Sequence, residues 1–260
     1  MRRRCAFCPA DAVETGGEHI WDAWLNRALP ETRYHARKQY TINSPVIQYD
    51  TDSLNEKLPV VCSKCNHGWM SVLSLKVKDR FGRTMLDGEP FSLGARDAVI
   101  LAAFTFMKAA VTNHLTVHEY EPFFTRAARE KFRTSLTVPP MVKMWFAAFQ
   151  GKARISTRSN FNIASASTLG PLYGMEFGSF SYVAGKLALQ LLAPRWKRID
   201  HRGNPLVSLT PHAFWDPAVT LFWPHSGEFL SWPPSKHFDD DMIQEFIERF
   251  VKSPVNIPIS

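Results

Sequence analysis

Beyond residue 65 the chain has no cysteine; Cys5, Cys8, Cys62 and Cys65 are all it contains. It also lacks an apolar run long enough to span a bilayer. The longest stretch, from Ala98 to Val111, is short and is interrupted by Lys108, which excludes a membrane helix there. The start, Met1-Arg2-Arg3-Arg4-Cys5, has the charge of a secretory signal without the apolar segment that would follow it. Internal repeats and low-complexity tracts are missing too, which argues against a repeat array or a disordered chain. A cytoplasmic protein is therefore expected. In a reducing compartment four clustered cysteines point to a metal rather than to disulfides.

Acidic residues are in the minority. Lys and Arg total 31 against 24 Asp and Glu, a net charge of +7. That excess fits a polyanionic partner, because basic side chains displace condensed counterions from phosphates. Hydrophobic residues make up 45% of the 260, enough to build a sizeable core.

What is present divides the chain. Residues 1–92 hold the cysteines and many polar or Pro-containing turns. Residues 93–260 hold apolar helices and strand-like alternation, so an α+β protein with a boundary near 92 is expected. Periodicity predicts helices over Asp97–Leu115, Glu121–Leu136, Ser181–Leu192 and Asp239–Lys252. It predicts strands within 141–155 and 160–183.

Cys5-Ala6-Phe7-Cys8 and Cys62-Ser63-Lys64-Cys65 are two Cys-x-x-Cys knuckles. Two thiolates separated by two residues turn back on one cation, and two such pairs complete a tetrahedral sulfur site that suits structural Zn²⁺. Between and beside the knuckles stand Glu18-His19-Ile20-Trp21 and Asn66. Phosphodiester hydrolysis needs a base for water and a cation for the phosphate charge. An imidazole such as His19 takes a proton near neutral pH. Glu18 and Asn66 offer the hard oxygens that Mg²⁺ or another divalent cation prefers. Trp21 and Trp24, at helical spacing, read as core, and Trp69 and Met70 as packing against the zinc module. His67 reads as a surface histidine at a helix start.

Cys-x-x-Cys, then acid-His-Ile, then Cys-x-x-Cys-Asn resembles the HNH or ββα-metal endonucleases, especially the branch with four zinc cysteines. The segment around Cys-Asn-His-Gly-Trp-Met (65–70) is also similar to bacterial HNH-like proteins of unclear function. The resemblance covers roughly the first 75 residues. It implies a hairpin bearing Glu18 and His19, and a helix after the second knuckle. It implies His19 as general base and Glu18 with Asn66 as ligands of the catalytic ion. Asn55, in Asp52-Ser53-Leu54-Asn55, corresponds to the residue that steadies the base. The family's commoner acid is Asp, and Asn66 stands where an imidazole is often found. The expected partner is nucleic acid, most readily DNA. RNA remains open, as does a zinc module that only binds DNA, RNA or protein. Arg2, Arg3 and Arg4 are candidate phosphate contacts. So is the group Arg33, Tyr34, His35, Arg37, Lys38 and Tyr40, and so are Lys152, Arg154 and Arg158, and Arg195, Lys197, Arg198 and Arg202.

Overall fold

The computed structural model describes residues 4–12, 17–29, 57–114, 123–151, 178–194, 218–239 and 242 with their side chains. It describes 34–38, 47–51, 115, 155–164, 175–177 and 195–196 by backbone alone. Asn55, Arg2, Arg3, Arg33, Tyr40, Lys152, Arg154, Lys197, Arg198 and Arg202 lie outside these residues. So do the side chains of 34–38, Arg158 and Arg195, and the expected helix Asp239–Lys252 apart from Asp239 and Met242.

The chain is α+β, with the cysteines clustered near its N-terminus. It divides into two compact units, one formed by 1–86 with 100–139 and the other by 87–99 with 140–260.

In the first unit, β1 (Glu18–His19) pairs antiparallel with β4 (Lys57–Leu58), in the register Glu18 to Leu58 and His19 to Lys57. Between them lie α1 (Ala23–Ala28) and a hairpin of β2 (Tyr34–Lys38) with β3 (Ile47–Thr51). After β4 come the short α2 (Ser63–Cys65), a wide turn Asn66–Met70, and α3 (Ser71–Asp87). The wide turn breaks at Gly68, where φ −94° and ψ −116° leave the helical region, and the amide of Ser71 reaches back to the carbonyls of Asn66 and Gly68. Beyond it come α4 (Ala95–Leu115) and α5 (Arg126–Ser135). Every residue from Leu101 to Val111 on α4 is buried, so this helix is the core element of the unit rather than an amphipathic cover. The helix expected from Glu121 starts later, because Thr125 caps α5 by accepting a hydrogen bond from the amide of Ala128.

Gly17 leads into β1 at a point of close approach. A Cβ there would lie 2.1 Å from the carbonyl oxygen of Leu58. Gly17→Ala is expected to part β1 from β4 at a cost of ~1–3 kcal/mol or more, as overpacking does. Chemical denaturation of the variant checks this; an unchanged midpoint would show that the two backbones need not approach so closely.

The second unit is built on an antiparallel sheet in the order β10 (Val219–Trp223), β6 (Lys143–Phe149), β9 (Leu187–Trp196), β8 (Met175–Ala184), β7 (Ile155–Ala164). The short β12 (His237–Phe238) adds to β6 in parallel. A separate pair joins β5 (Phe91–Leu93) to β11 (Leu230–Trp232). The core holds Trp145, Phe146, Phe149, Phe180, Tyr182 and Phe222. Trp232 stacks on Phe91 at 5.8 Å and donates from Nε1 to the carbonyl of Ala147.

The helix expected over Ser181–Leu192 is not formed; those residues are a β-hairpin. Gly185 has φ +58°, a left-handed turn conformation, and β8 and β9 pair from Ala184 with Leu187 outward. Residues 187–193 are buried throughout, as in a strand covered on both faces, and such a run has no period that separates strand from helix. The one buried polar pair, Ser181 with Gln190, is satisfied across the two strands by Gln190 Nε2 donating to Ser181 Oγ at 3.0 Å. No helix among the described residues is long and apolar enough to cross a membrane.

Candidate metal centre and the buried ion pair beside it

The first knuckle is a tight curl. Arg4 bridges to Asp11, and the amide of Cys5 donates to the carbonyl of Ala10 at 2.8 Å, so the chain doubles back and carries Cys8 toward Cys5. The amide of Phe7 points at Cys5 Sγ, 3.5 Å away. In the second knuckle Cys62 precedes α2, and one helical turn brings Cys65 to the same side; the amide of Asn66 donates to the carbonyl of Cys62 at 3.0 Å. The two curls are joined by the amide of Ala6 donating to the carbonyl of Val60 at 2.8 Å.

The four sulfurs all lie within 4.8 Å of one another. Cys8 Sγ is 3.5 Å from Cys62 Sγ and 3.8 Å from Cys65 Sγ. A tetrahedron with Zn–S bonds of about 2.3 Å has S–S edges of roughly 3.8 Å, so the donor set and its spacing fit zinc. No disulfide links these cysteines. Cys5, Cys62 and Cys65 are buried and Cys8 is partly so. The hydrogen bond from Cys65, opposed by burial, lowers the Cys5 thiol to about 4. Cys65 is pushed up by that same contact and by burial, and Cys8 is raised chiefly by burial.

An aromatic chain and one buried cation anchor the knuckles to the helices. Phe7 meets Trp69 edge-on at 5.0 Å, Trp69 meets Phe132 at 5.7 Å, and Phe132 meets Phe106 at 4.7 Å. Arg129 is 4% exposed. It donates from Nε to the carbonyl of Ala6 at 2.7 Å and from Nη1 to the carbonyl of Phe124, so a guanidinium on α5 fixes the turn between Cys5 and Cys8.

Glu18 and His19 occupy β1, and the strand paired with it, β4, runs on to the second knuckle and Asn66. His19 and Asn66 are half-buried, and His67 is exposed with Nδ1 2.9 Å from Ser63 Oγ. Glu18 is buried, and its surroundings are not apparent from sequence. Lys108, from the middle of α4, donates to Glu18 Oε1 at 2.6 Å, to the backbone carbonyl of His19 at 2.8 Å and to Asp22 Oδ1 at 3.0 Å. Asp22 stands at the N-cap of α1 without capping it. Its Oδ1 also accepts from Ser74 Oγ at 2.9 Å, and its Oδ2 is buried with no hydrogen-bond partner among the described residues. Burial pushes the Lys108 ammonium down, but the charges of Asp22 and Glu18 outweigh it and hold the pKa above the ordinary value.

Lys108, Asp22 and Arg129 were not singled out as site residues by motif. One signal was present for the first: a lone cation in a helix otherwise apolar from Ala98 to Val111 requires a counter-ion if that helix is buried. Nothing in the spacing says that the counter-ion sits some 90 residues earlier. Comparisons with family models, with curated proteins and with solved structures find no match for this chain.

Proposed function

We propose that the cysteine unit is a zinc-stapled ββα-metal, or HNH-type, endonuclease module that hydrolyses phosphodiester bonds in nucleic acid, DNA first among them. The observation that carries this reading is the pairing of β1 with β4. It joins the two-residue strand that carries the acid-His pair to a strand, 38 residues later in the chain, that leads through the second knuckle to Asn66; the expected hairpin is replaced by this non-consecutive pair. A basic chain of this kind is also suited to a polyanionic substrate.

In this reading His19, half-buried on a rigid strand whose carbonyl Lys108 holds, takes the proton from the attacking water. Asn66 offers an amide oxygen at the start of the wide turn. Glu18 offers only the carboxylate oxygen that Lys108 leaves, since Oε1 already accepts from the ammonium. A divalent ion such as Mg²⁺ held there would offset the charge that develops on the phosphate. Asn55 keeps its proposed role of steadying His19.

A second reading, a zinc module that binds DNA, RNA or protein without cleaving, is favoured by one observation. A carboxylate buried against a protonated lysine is already neutralised and gains less from a metal. Plasmid and RNA incubated with the purified chain, with and without added Mg²⁺ or Mn²⁺, separate the two readings. Cleavage that needs the added ion and falls ~10²–10⁴-fold in His19→Ala, with zinc content and fold retained, supports the nuclease. Binding with no cleavage of either substrate supports the second reading. Full activity in His19→Ala would remove the imidazole from the mechanism.

A further inference from the structure

We propose that the cleft between α1 and α3 is a phosphate subsite that takes one sugar-phosphate unit of a nucleic acid. This deepens the nuclease reading by naming a contact for its substrate away from the paired strands β1 and β4. The cleft has a volume of about 320 Å³, within the size range of small-ligand sites. Arg27 from α1 and Lys78 and Arg83 from α3 surround it, and no acidic residue lines it. All three cations are exposed, and Arg27 and Lys78 make no ion pair among the described residues. One wall is Trp24, 8% exposed, whose ring edge at Cζ3 and Cη2 faces Gly82.

Gly82 is the second, independent observation. It sits inside α3, where a glycine costs about 1 kcal/mol relative to alanine. Its φ lies outside the left-handed region, so the backbone does not require a glycine. Packing does not require one either: an added Cβ would stand 3.6 Å from Lys78 Cγ and 3.7 Å from Trp24 Cζ3, ordinary van der Waals contact. What the missing side chain provides is the open floor of the cleft. A cavity ringed by cations, walled by an aromatic edge and kept open at a cost in helix stability suits a phosphate group with a sugar beside it. A free nucleotide carries the same chemistry as a strand.

The test uses the full chain and three probes: a labelled DNA duplex, adenosine monophosphate and inorganic phosphate. Arg27→Ala with Lys78→Ala is expected to weaken duplex binding about tenfold or more and to lower the slope of log affinity against log salt by ~2, as expected for two lost phosphate contacts. Gly82→Leu, which fills the floor without altering charge, should weaken binding as well, while Gly82→Ala serves as a variant that fits without displacement. Lys131→Ala, an exposed cation on α5, is the control. If the monophosphate competes and inorganic phosphate does not, the sugar is read as well; if neither competes but the variants still lose affinity, the site belongs to a strand. The proposal fails if Gly82→Leu, with its melting temperature retained, binds like the parent. It also fails if the double variant loses no more than Lys131→Ala, or if an acidic peptide competes as well as DNA. A parent chain that cleaves nothing, while the variants still show these losses of binding, would defeat the nuclease reading alone. Cleavage that survives in variants binding normally would defeat the cleft alone.

Discussion

Cys62→Ser is expected to unfold the knuckles rather than to loosen them. Among the described residues one backbone hydrogen bond, Ala6 to Val60, is seen to join the two curls, and an ion held by all four sulfurs would close the loop between residues 8 and 62. Binding of structural zinc in small modules supplies on the order of 10 kcal/mol, comparable with the whole stability of a domain. The loss should exceed ~4 kcal/mol, the range reached when a metal site is destroyed. It should reach the helices as well, because Phe7 and Trp69 link the knuckles to Phe132 and Phe106. Denaturant titration followed by tryptophan fluorescence gives the readout. A strong chelator should bring the parent chain to the level of the variant and leave the variant unchanged. Equal stability of the parent with and without chelator would show that no ion contributes. The pH dependence has a fixed sign. Zinc is held by thiolates, so its uptake must release thiol protons and its affinity must fall as pH falls.

Lys108→Met should have the next largest effect. It removes the only cation bonded to Glu18 and Asp22 in the described structure and leaves two buried carboxylates facing the same space. Breaking a buried pair by deleting one partner costs about 3–5 kcal/mol, because the remaining charge is uncompensated. Adding Glu18→Gln and Asp22→Asn to the variant should recover much of that loss, which a simple cavity would not. In the parent chain the sign follows from the raised pKa of Lys108. Its contribution is complete below the unfolded lysine value near 10.5 and disappears as pH rises through the higher folded value. Urea midpoints of the single and triple variants, with the parent measured from neutral to strongly alkaline pH, check both statements. A single variant as stable as the parent would show that the ammonium does not hold β1 in place.

The parts of this molecule that were legible in the sequence are those in which chemistry and spacing coincide. Two Cys-x-x-Cys pairs, with no other cysteine, have few ways to be satisfied, and the sulfurs do converge. α4 was legible because apolar residues dominate it from Ala98 to Val111, about four turns, interrupted only by Thr105 and Lys108. The same property misled at 181–192, where a mostly apolar stretch belongs to a strand pair turned at Gly185. The cores of strands and helices look alike when both faces are covered. Of the ion pair at Glu18 only one half was legible: Lys108 in an apolar helix calls for a counter-ion without saying which. Glu18 next to His19 suggests a ligand poised for a cation, and the structure supplies that cation as the side chain of Lys108. Contacts across such a separation follow from the packing of α4 and leave no local mark. Gly17 and Gly82 show a similar limit: each is an unremarkable glycine in sequence, and only coordinates show that one excludes a side chain and the other has room for one.

The most direct test of the account is native mass spectrometry of the full chain, purified without chelator, beside Cys62→Ser. The account predicts one zinc ion per parent chain, with the mass lowered by the protons the thiols give up, and none in the variant. A parent chain that carries no metal, or a variant that keeps its zinc, would contradict it.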